Sequence, residues 1–229
     1  MTTSKLYEFR AELECALGLL EKNADNYYSA LSLSRLIEKV DAEITAADAK
    51  STGRTSTLAA VKRILKNSAS SSVEGLKYAT VTNGHQYFSD GFRFVALDQP
   101  LPGFPAIPEN VGPVEFAKLD TPTDSPAPLQ LPELNELKNW IKRKTAEHKA
   151  SGLKTKLTLN YQFGDCLPVV NAAYLVDMME ALPGAVAAVD HDKRNPKAIR
   201  IWFTAENGHG LLMPVFCRQN PVEKTNLAA

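Results

Sequence analysis

The order of a helix followed by several strands occurs twice along this chain of 229 residues. The first copy spans residues 55–97, the second spans residues 167–216, and an Asn-Gly pair lies inside each. Asn-Gly between apolar runs is typical of a tight β-hairpin, because both residues accept the positive φ of a type I′ turn. The repeated order predicts a fold that pairs two similar halves.

The N-terminal 50 residues carry apolar side chains at helical spacing in two stretches. The first stretch is residues 5–22, and the second follows Ser32, whose hydroxyl is suited to cap a helix N-terminus. Because the connector between them is short, we expect an antiparallel helical hairpin at residues 1–50.

The sequence also predicts where the protein resides. Acidic residues near the N-terminus argue against a signal peptide, and no apolar run approaches the roughly 20 residues of a membrane span. Cys15, Cys166 and Cys217 include no CxxC pair and are expected to be buried, reduced thiols. We therefore expect a cytoplasmic protein without membrane contact.

Residues 55–217 are expected to form the core domain. Within them, residues 98–132 hold nine of the fourteen prolines. Proline lacks an amide donor and fixes φ, so this stretch predicts a long crossover or a linker, with an edge strand at 114–119. Beyond it, we expect a helix at 131–149, a half-exposed strand at 153–163 and a flexible tail at 218–229. The predicted fold class is α+β, with a core of two helix-plus-β-meander halves and an N-terminal helical hairpin.

The net charge is zero, yet the charges are segregated along the chain. Residues 49–73 contain bases but no acid, residues 135–156 hold seven bases and two acids, and residues 157–192 contain acids but no base. Segregated charge can mark a surface that binds a polyanion, although a solvated mixed surface explains each run as well. The candidate DNA-binding residues are Lys62, Arg63 and Lys66 on the first-half helix, and Lys138, Lys142 and Lys149 within about 40° of one another on the helix at 131–149.

The sequence contains none of the motifs GxGxxG, GxxxxGK[ST], HExxH and GxSxG. Residues 190–192 (Asp-His-Asp) have metal-ligating side chains, but a hairpin loop explains them better than a metal enzyme does. His85 and His209 each follow an Asn-Gly pair, and exposed turn positions explain them better than catalysis. Asp90 precedes Gly91, where a carboxylate commonly accepts hydrogen bonds from turn amides. We therefore expect a protein that is not an enzyme and holds no metal or cofactor.

Three segments share their pattern with one family. Residues 89–97 (SDGFRFVAL) are similar to a strand written T-D-G-H-R-L-A, and residues 171–182 (NAAYLVDMMEAL) to a helix written Y-L-L-D-x-L. Residues 210–215 (GLLMPV) are similar to a C-terminal strand written Y-V-V-M-P-M-R-L. In this order the segments resemble bacterial sliding clamps, the beta subunit of DNA polymerase III. Phe92 replaces the His of the first motif, and Phe216-Cys217 replace the terminal Arg-Leu of the last.

The resemblance implies a DNA-clamp-like core, in which helices line a DNA channel and strands pair into a continuous outer sheet. It also implies an apolar pocket for a short peptide of a polymerase or another partner. The residues carried over to this pocket are Gly91, Phe92, Arg93, Phe94, Leu211 and Met213.

We therefore expect a non-enzymatic, DNA-associated accessory protein of replication or repair, of a kind that phages or mobile elements encode. Its expected partners are double-stranded DNA and a replication or repair protein bound through a short peptide motif. The alternative is a protein-interaction module that has kept the fold and does not bind DNA, because the second-half helix is acidic. A clamp subunit has three domains and this chain has room for about one, so a ring would require a homo-oligomer.

Overall fold

The computed structural model describes residues 2–22, 26–104, 107–112, 114–116, 122, 126–155, 157–164, 168–191 and 199–215. Its helices are α1 (Thr3–Leu20), α2 (Tyr27–Ser51), α3 (Thr55–Ser68), α4 (Leu134–Ala150) and α5 (Ala172–Ala181). Its strands are β1 (Thr80–Thr82), β2 (His85–Ser89), β3 (Arg93–Leu97), β4 (Ala127–Leu129), β5 (Asn160–Gln162), β6 (Val169–Asn171), β7 (Val186–His191), β8 (Ile199–Ala205) and β9 (Gly208–Leu212).

Seven strands form one antiparallel sheet in the order β1-β2-β3-β9-β8-β7-β4, and β5 and β6 form a separate pair. Helix α3 precedes the meander β1–β3, and α5 precedes the meander β7–β9. The two meanders join along β3 and β9, with Val95 opposite Gly210 at the centre of the ladder. The predicted α+β class and the two helix-plus-meander halves are confirmed.

The two Asn-Gly pairs are not equivalent in the two halves. Asn83-Gly84 joins the first and second strands of its meander, whereas Asn207-Gly208 joins the second and third. Asn83 (φ 52°) and Gly84 (φ 82°) have the positive φ that a type I′ turn requires. Gly208 has a φ of 145° and Asn207 is not in the positive-φ region, so the type I′ prediction is wrong for the second turn.

Alternation along the strands gives the sheet two buried faces. Helices α3, α4 and α5 cover the face that carries Phe88, Val95 and Phe203, which forms the main core. A smaller core on the opposite face contains Tyr87, Phe94, Trp202, Leu211 and Phe116. Phe116 comes from the Pro-rich stretch and stacks on Tyr87, with ring centroids 5.0 Å apart. This stretch therefore covers the second face of the sheet.

The N-terminal helices α1 and α2 pack against each other, as the hairpin prediction requires. Helix α2 begins at Tyr27, so Ser32 is not its N-cap, and the Ser32 hydroxyl donates to the Tyr28 carbonyl inside the helix. Thr45 joins α2 to the Pro-rich stretch by donating to the Pro102 carbonyl at 2.7 Å. Cys15 is exposed rather than buried, while Cys166 and Cys217 lie outside the described residues.

Two strand predictions require correction. Residues 114–116 form no strand, because Phe116 turns into the smaller core, and residues 117–119 lie outside the described part. The Pro-rich stretch instead supplies β4, which pairs with β7 at the sheet edge. Of the strand expected at 153–163, β5 is the strand observed among the described residues, and the tail at 218–229 lies outside them. None of the described helices is long and apolar enough to cross a bilayer.

Candidate nucleic-acid interface

Helix α5 lies between α3 on one side and α4 on the other. It begins after Asn171, whose side-chain oxygen accepts hydrogen bonds from the amides of Ala173 (2.9 Å) and Tyr174 (3.3 Å). This N-cap supports the abrupt change from β6 to helix. Helix α5 carries Asp177 and Glu180 but no base, and both acidic side chains are largely shielded from solvent by their neighbours.

Glu180 brings together the two basic runs that are far apart in the sequence. One of its carboxylate oxygens accepts from Arg63 of α3, and the other contacts the Lys138 ammonium of α4 at 2.5 Å. Because one carboxylate contacts both bases, the charged ends of Arg63 and Lys138 lie a few ångströms apart. The basic sides of α3 and α4 therefore form one continuous surface over α5.

We name this surface the basic face and define it by the six predicted DNA-binding residues. Its exposed lysines make no ion pair among the described residues, whereas Arg63 and Lys138 share the charge of Glu180. Together α3, α4 and α5 carry eight bases and four acids, so the helical layer keeps a net charge of +4. The six residues are Lys62, Arg63, Lys66, Lys138, Lys142 and Lys149.

A buried ion network lies beneath the basic face. The Arg93 side chain, with no exposed surface, donates through Nε to Asp90 at 3.0 Å and through Nη1 to Asp177. Asp177 also accepts from Arg63 at 2.5 Å, so its two oxygens join strand β3 to helix α3. The Arg93 guanidinium lies over the Tyr174 ring, 4.1 Å from the centroid, in a cation–π contact. The network thus fixes the position of α5 against the sheet.

Asp90 has a second role in the same turn. Its other oxygen accepts from the amides of Phe92 and Arg93, each at 3.1 Å. The prediction that this carboxylate accepts from turn amides is confirmed. Gly91 has a φ of 87°, a left-handed conformation that glycine adopts without strain.

The network also affects protonation. Burial alone would lower the pKa of Arg63, but its hydrogen bond to Asp177 and the charges of Asp177 and Glu180 raise the pKa above the usual value. Burial raises the pKa of Tyr174, the negative charges of Asp90 and Asp177 raise it further, and Arg93 opposes them. Arg63 therefore stays charged and Tyr174 stays neutral at physiological pH.

The residues predicted to bind a partner peptide are divided by the structure. Phe92 is 60% exposed and Met213 is 37% exposed, and the Met213 amide donates to the Phe92 carbonyl at 2.8 Å. Gly91 is exposed beside them. Arg93 is buried in the ion network, while Phe94 and Leu211 are buried in the smaller core on the opposite face. Phe92 lies in the turn before β3 and packs near Tyr174 of the helical layer, whereas Phe94 of β3 lies in the smaller core, so the two side chains do not share one open surface.

One participant in the exposed apolar surface, Tyr174 of α5, was not predicted from the sequence. The Tyr174 ring packs near Phe92, with centroids 6.2 Å apart. Its neighbours Phe92 and Arg93 are about 80 positions away in the sequence, so no local pattern indicates this contact.

The remaining candidates occupy strands rather than exposed turns. His85 and His209 are half-buried at the starts of β2 and β9. Asp190 is buried in β7 and accepts from Arg200 of β8 at 2.8 Å, while Asp192 lies outside the described residues. The loop prediction for residues 190–192 is therefore wrong at Asp190, because a strand-to-strand ion pair holds it.

Comparison of the chain with protein-family models, with curated proteins and with solved structures gave no match. The resemblance to sliding clamps therefore stays a prediction, carried by the three motifs in the sequence.

Proposed function

We propose that this protein binds double-stranded DNA without sequence preference through the basic face, as a non-enzymatic accessory protein of replication or repair. The observation that carries the proposal is the convergence of Arg63 and Lys138 on Glu180. It turns two separate basic runs into one surface, and a surface wider than one helix can follow a phosphate backbone.

The spacing of the lysines suits backbone contact. Lys138 and Lys149 are separated by eleven positions of α4, which corresponds to about 16 Å along the helix axis. A duplex presents several phosphates over that distance. Lysine side chains are long and carry no fork of fixed donors, so they contact phosphates without selecting a base sequence.

The salt dependence of binding gives a quantitative expectation. Arg63 and Lys138 are partly neutralised by Glu180, so Lys62, Lys66, Lys142 and Lys149 supply most of the attraction. Neutralising one phosphate contributes about −0.9 to the slope of log K against log salt, so we expect a slope of about −3 to −4.

The test is fluorescence anisotropy of a short labelled duplex over a range of salt concentrations. Replacing Lys62, Lys66, Lys142 and Lys149 by Gln should weaken binding at least about tenfold at low salt and remove most of the slope. The matched control replaces Lys5, Lys22, Lys39 and Lys50 by Gln, which changes the net charge equally on the N-terminal hairpin. Equal losses in both variants, or no binding by the wild type at low salt, would contradict the proposal.

A second candidate function is peptide binding at the exposed apolar surface of Phe92, Tyr174 and Met213. It is favoured by the 60% exposure of Phe92, a large apolar side chain held in place by the Asp90 turn. Peptides selected against the wild type by phage display should lose affinity for a Phe92→Ser, Met213→Ser variant. DNA affinity should be unchanged in that variant, so the two functions can be tested separately.

Oligomeric state bears on the clamp resemblance directly. One core domain per chain encircles DNA when several copies assemble. Light scattering at several concentrations, with and without duplex, should then give a discrete ring-sized species. If the protein stays monomeric and binds duplex with the expected salt slope, the result would support DNA binding and exclude a ring.

A further inference from the structure

Three side chains with metal-ligating atoms lie close together where the inner strands β2, β3 and β9 of the seven-stranded sheet begin or end. His85 begins β2, Asp98 directly follows β3, and His209 lies in β9. One ligand atom from each, a ring nitrogen or a carboxylate oxygen, lies within 4.8 Å of the other two. The residues come from both halves of the core and are far apart in the sequence.

The strand registers explain why these side chains meet. Ala96 pairs with His209, and Gln86 pairs with Leu97, which places His85 opposite Asp98 at the next position. Because alternate residues share a face, His85, Asp98 and His209 point to the same side of the sheet. That side is the rim of the smaller core, opposite the helical layer.

The neighbours of the cluster hold it in position. The His209 ring stacks on Trp202, with centroids 5.3 Å apart, and meets the His85 ring edge to face at 5.5 Å. The Asp98 amide donates to the Asn207 carbonyl at 3.2 Å, which fastens the end of β3 to the β8–β9 turn. At Gly208 a Cβ atom would overlap the Ala96 carbonyl oxygen, so glycine permits the close approach of β9 to β3.

We propose that His85, Asp98 and His209 bind one divalent ion of the zinc class. Imidazole nitrogen and carboxylate oxygen are zinc ligands at about 2.0–2.2 Å, so two ligands of a tetrahedral ion lie about 3.4 Å apart. His85 Nδ1 and Asp98 Oδ1 are already 2.9 Å apart, and the half-exposed Asp98 side chain has room to adjust. Three protein ligands leave a fourth position open to solvent.

The bound ion would join β2 and the end of β3 to β9, across the junction between the two halves. This role does not depend on DNA binding, because the cluster and the basic face lie on opposite sides of the sheet. It departs from the sequence-based expectation that the protein holds no metal. The reason is that isolated histidines at positions 85 and 209 show no ligand spacing until the strands pair.

Titration of the metal-free protein with zinc chloride tests the proposal, with calorimetry for stoichiometry and thermal unfolding for stabilisation. We expect one ion per chain at this site and a saturable rise in Tm. Asp98→Asn, which keeps the shape of an exposed side chain, should weaken this binding at least about tenfold. His85→Gln with His209→Gln should abolish it.

His148→Gln is the matched control, because His148 lies on α4 and its Nε2 contacts the Thr155 carbonyl instead. All variants keep the three cysteines, so zinc held by thiols is common to them and cancels in the comparison. Coinciding isotherms for the wild type and Asp98→Asn would overturn the proposal, as would equal zinc stoichiometry in the wild type and a folded double histidine variant. If the double histidine variant fails to fold by circular dichroism, Asp98→Asn alone decides.

Discussion

The first half of the core carries a basic helix and the second half an acidic one, although each half runs from a helix into three antiparallel strands. Helix α3 has three bases and no acid, whereas α5 has two acids and no base. Helix α5 contacts β3 and β9 at the junction, while α3 contacts β2. The repeated geometry therefore holds two helices of opposite charge side by side.

This difference has a structural consequence. The acids of α5 are the partners of Arg63 and of the buried Arg93. The second half therefore supplies the carboxylates and the first half the guanidinium groups. In the sequence, the acidic α5 argued against DNA binding. In the fold, its acids neutralise part of α3 and anchor Lys138, leaving the exposed lysines to define the surface charge.

The largest effect is expected from breaking the buried network at Arg93. Arg93→Met removes the guanidinium that Asp90 and Asp177 share and leaves Asp177 with Arg63 alone. Breaking a buried ion pair in this way costs about 3–5 kcal/mol. The free energy of unfolding in urea, followed by circular dichroism, measures the loss. Lys142→Met, on an exposed position of α4, should stay within about 0.5 kcal/mol of the wild type.

A double-mutant cycle sharpens this comparison of the halves. If Arg93 and Asp177 act as one unit, then Arg93→Met with Asp177→Asn should cost less than the sum of the single changes, by about 0.5–3 kcal/mol. Additive losses would show that the network does not couple β3 to α5.

An intermediate effect is expected at Gly210, where α5 packs closely on β9. An added Cβ would lie 2.6 Å from the Phe94 carbonyl oxygen and 2.7 Å from the Met178 Cε. Gly210→Ala should therefore destabilise the protein by about 1–3 kcal/mol, as overpacking does. Its partner across the ladder, Val95, carries a full side chain at the equivalent place. Because β9 has glycine where β3 has valine, α5 packs over the junction of the two meanders, whereas α3 packs on β2.

The control for Gly210 is Gly18 of α1, around which a new Cβ meets nothing within 4 Å. Gly18→Ala should stabilise the protein by up to about 1 kcal/mol, because alanine favours a helix. The two alanine substitutions should thus shift the urea midpoint in opposite directions. Equal shifts would mean that the close approach of α5 to β9 is not required.

The smallest effect is expected at Thr57, a buried hydrogen-bond link between the two helices. Its hydroxyl donates to the Ala181 carbonyl at 3.2 Å, near the end of α5. Thr57→Val keeps the shape and should cost about 1 kcal/mol, because Asn207 still donates to the same carbonyl at 3.1 Å. Thr55→Val, at an exposed position of α3, is the matched control in the same urea measurement. A loss at Thr57 no greater than at Thr55 would show that the bond adds nothing to the pairing.

Sequence periodicity predicted the helices of the core to within a few residues, because a helical stripe is a local pattern. The Asp-Gly pair at 90–91 likewise predicted the hydrogen bonds of Asp90, because they lie within one turn. Periodicity missed β4 and gave β5 too long a range at 153–163, because strands of three residues are too short to show a pattern. It separated neither Phe94 from Phe92 nor exposed lysines from paired ones.

The sequence by itself determined the α+β class, the order of the two halves and the segregation of charge, since each follows from neighbouring residues. The tertiary structure alone decided which charges meet. Arg93 and Asp177 are 84 positions apart, and Arg63 and Asp177 are 114 apart. His85 and His209 are also brought together by the pairing of strands that are distant in the sequence. Such contacts depend on strand register and helix packing, which no local pattern encodes.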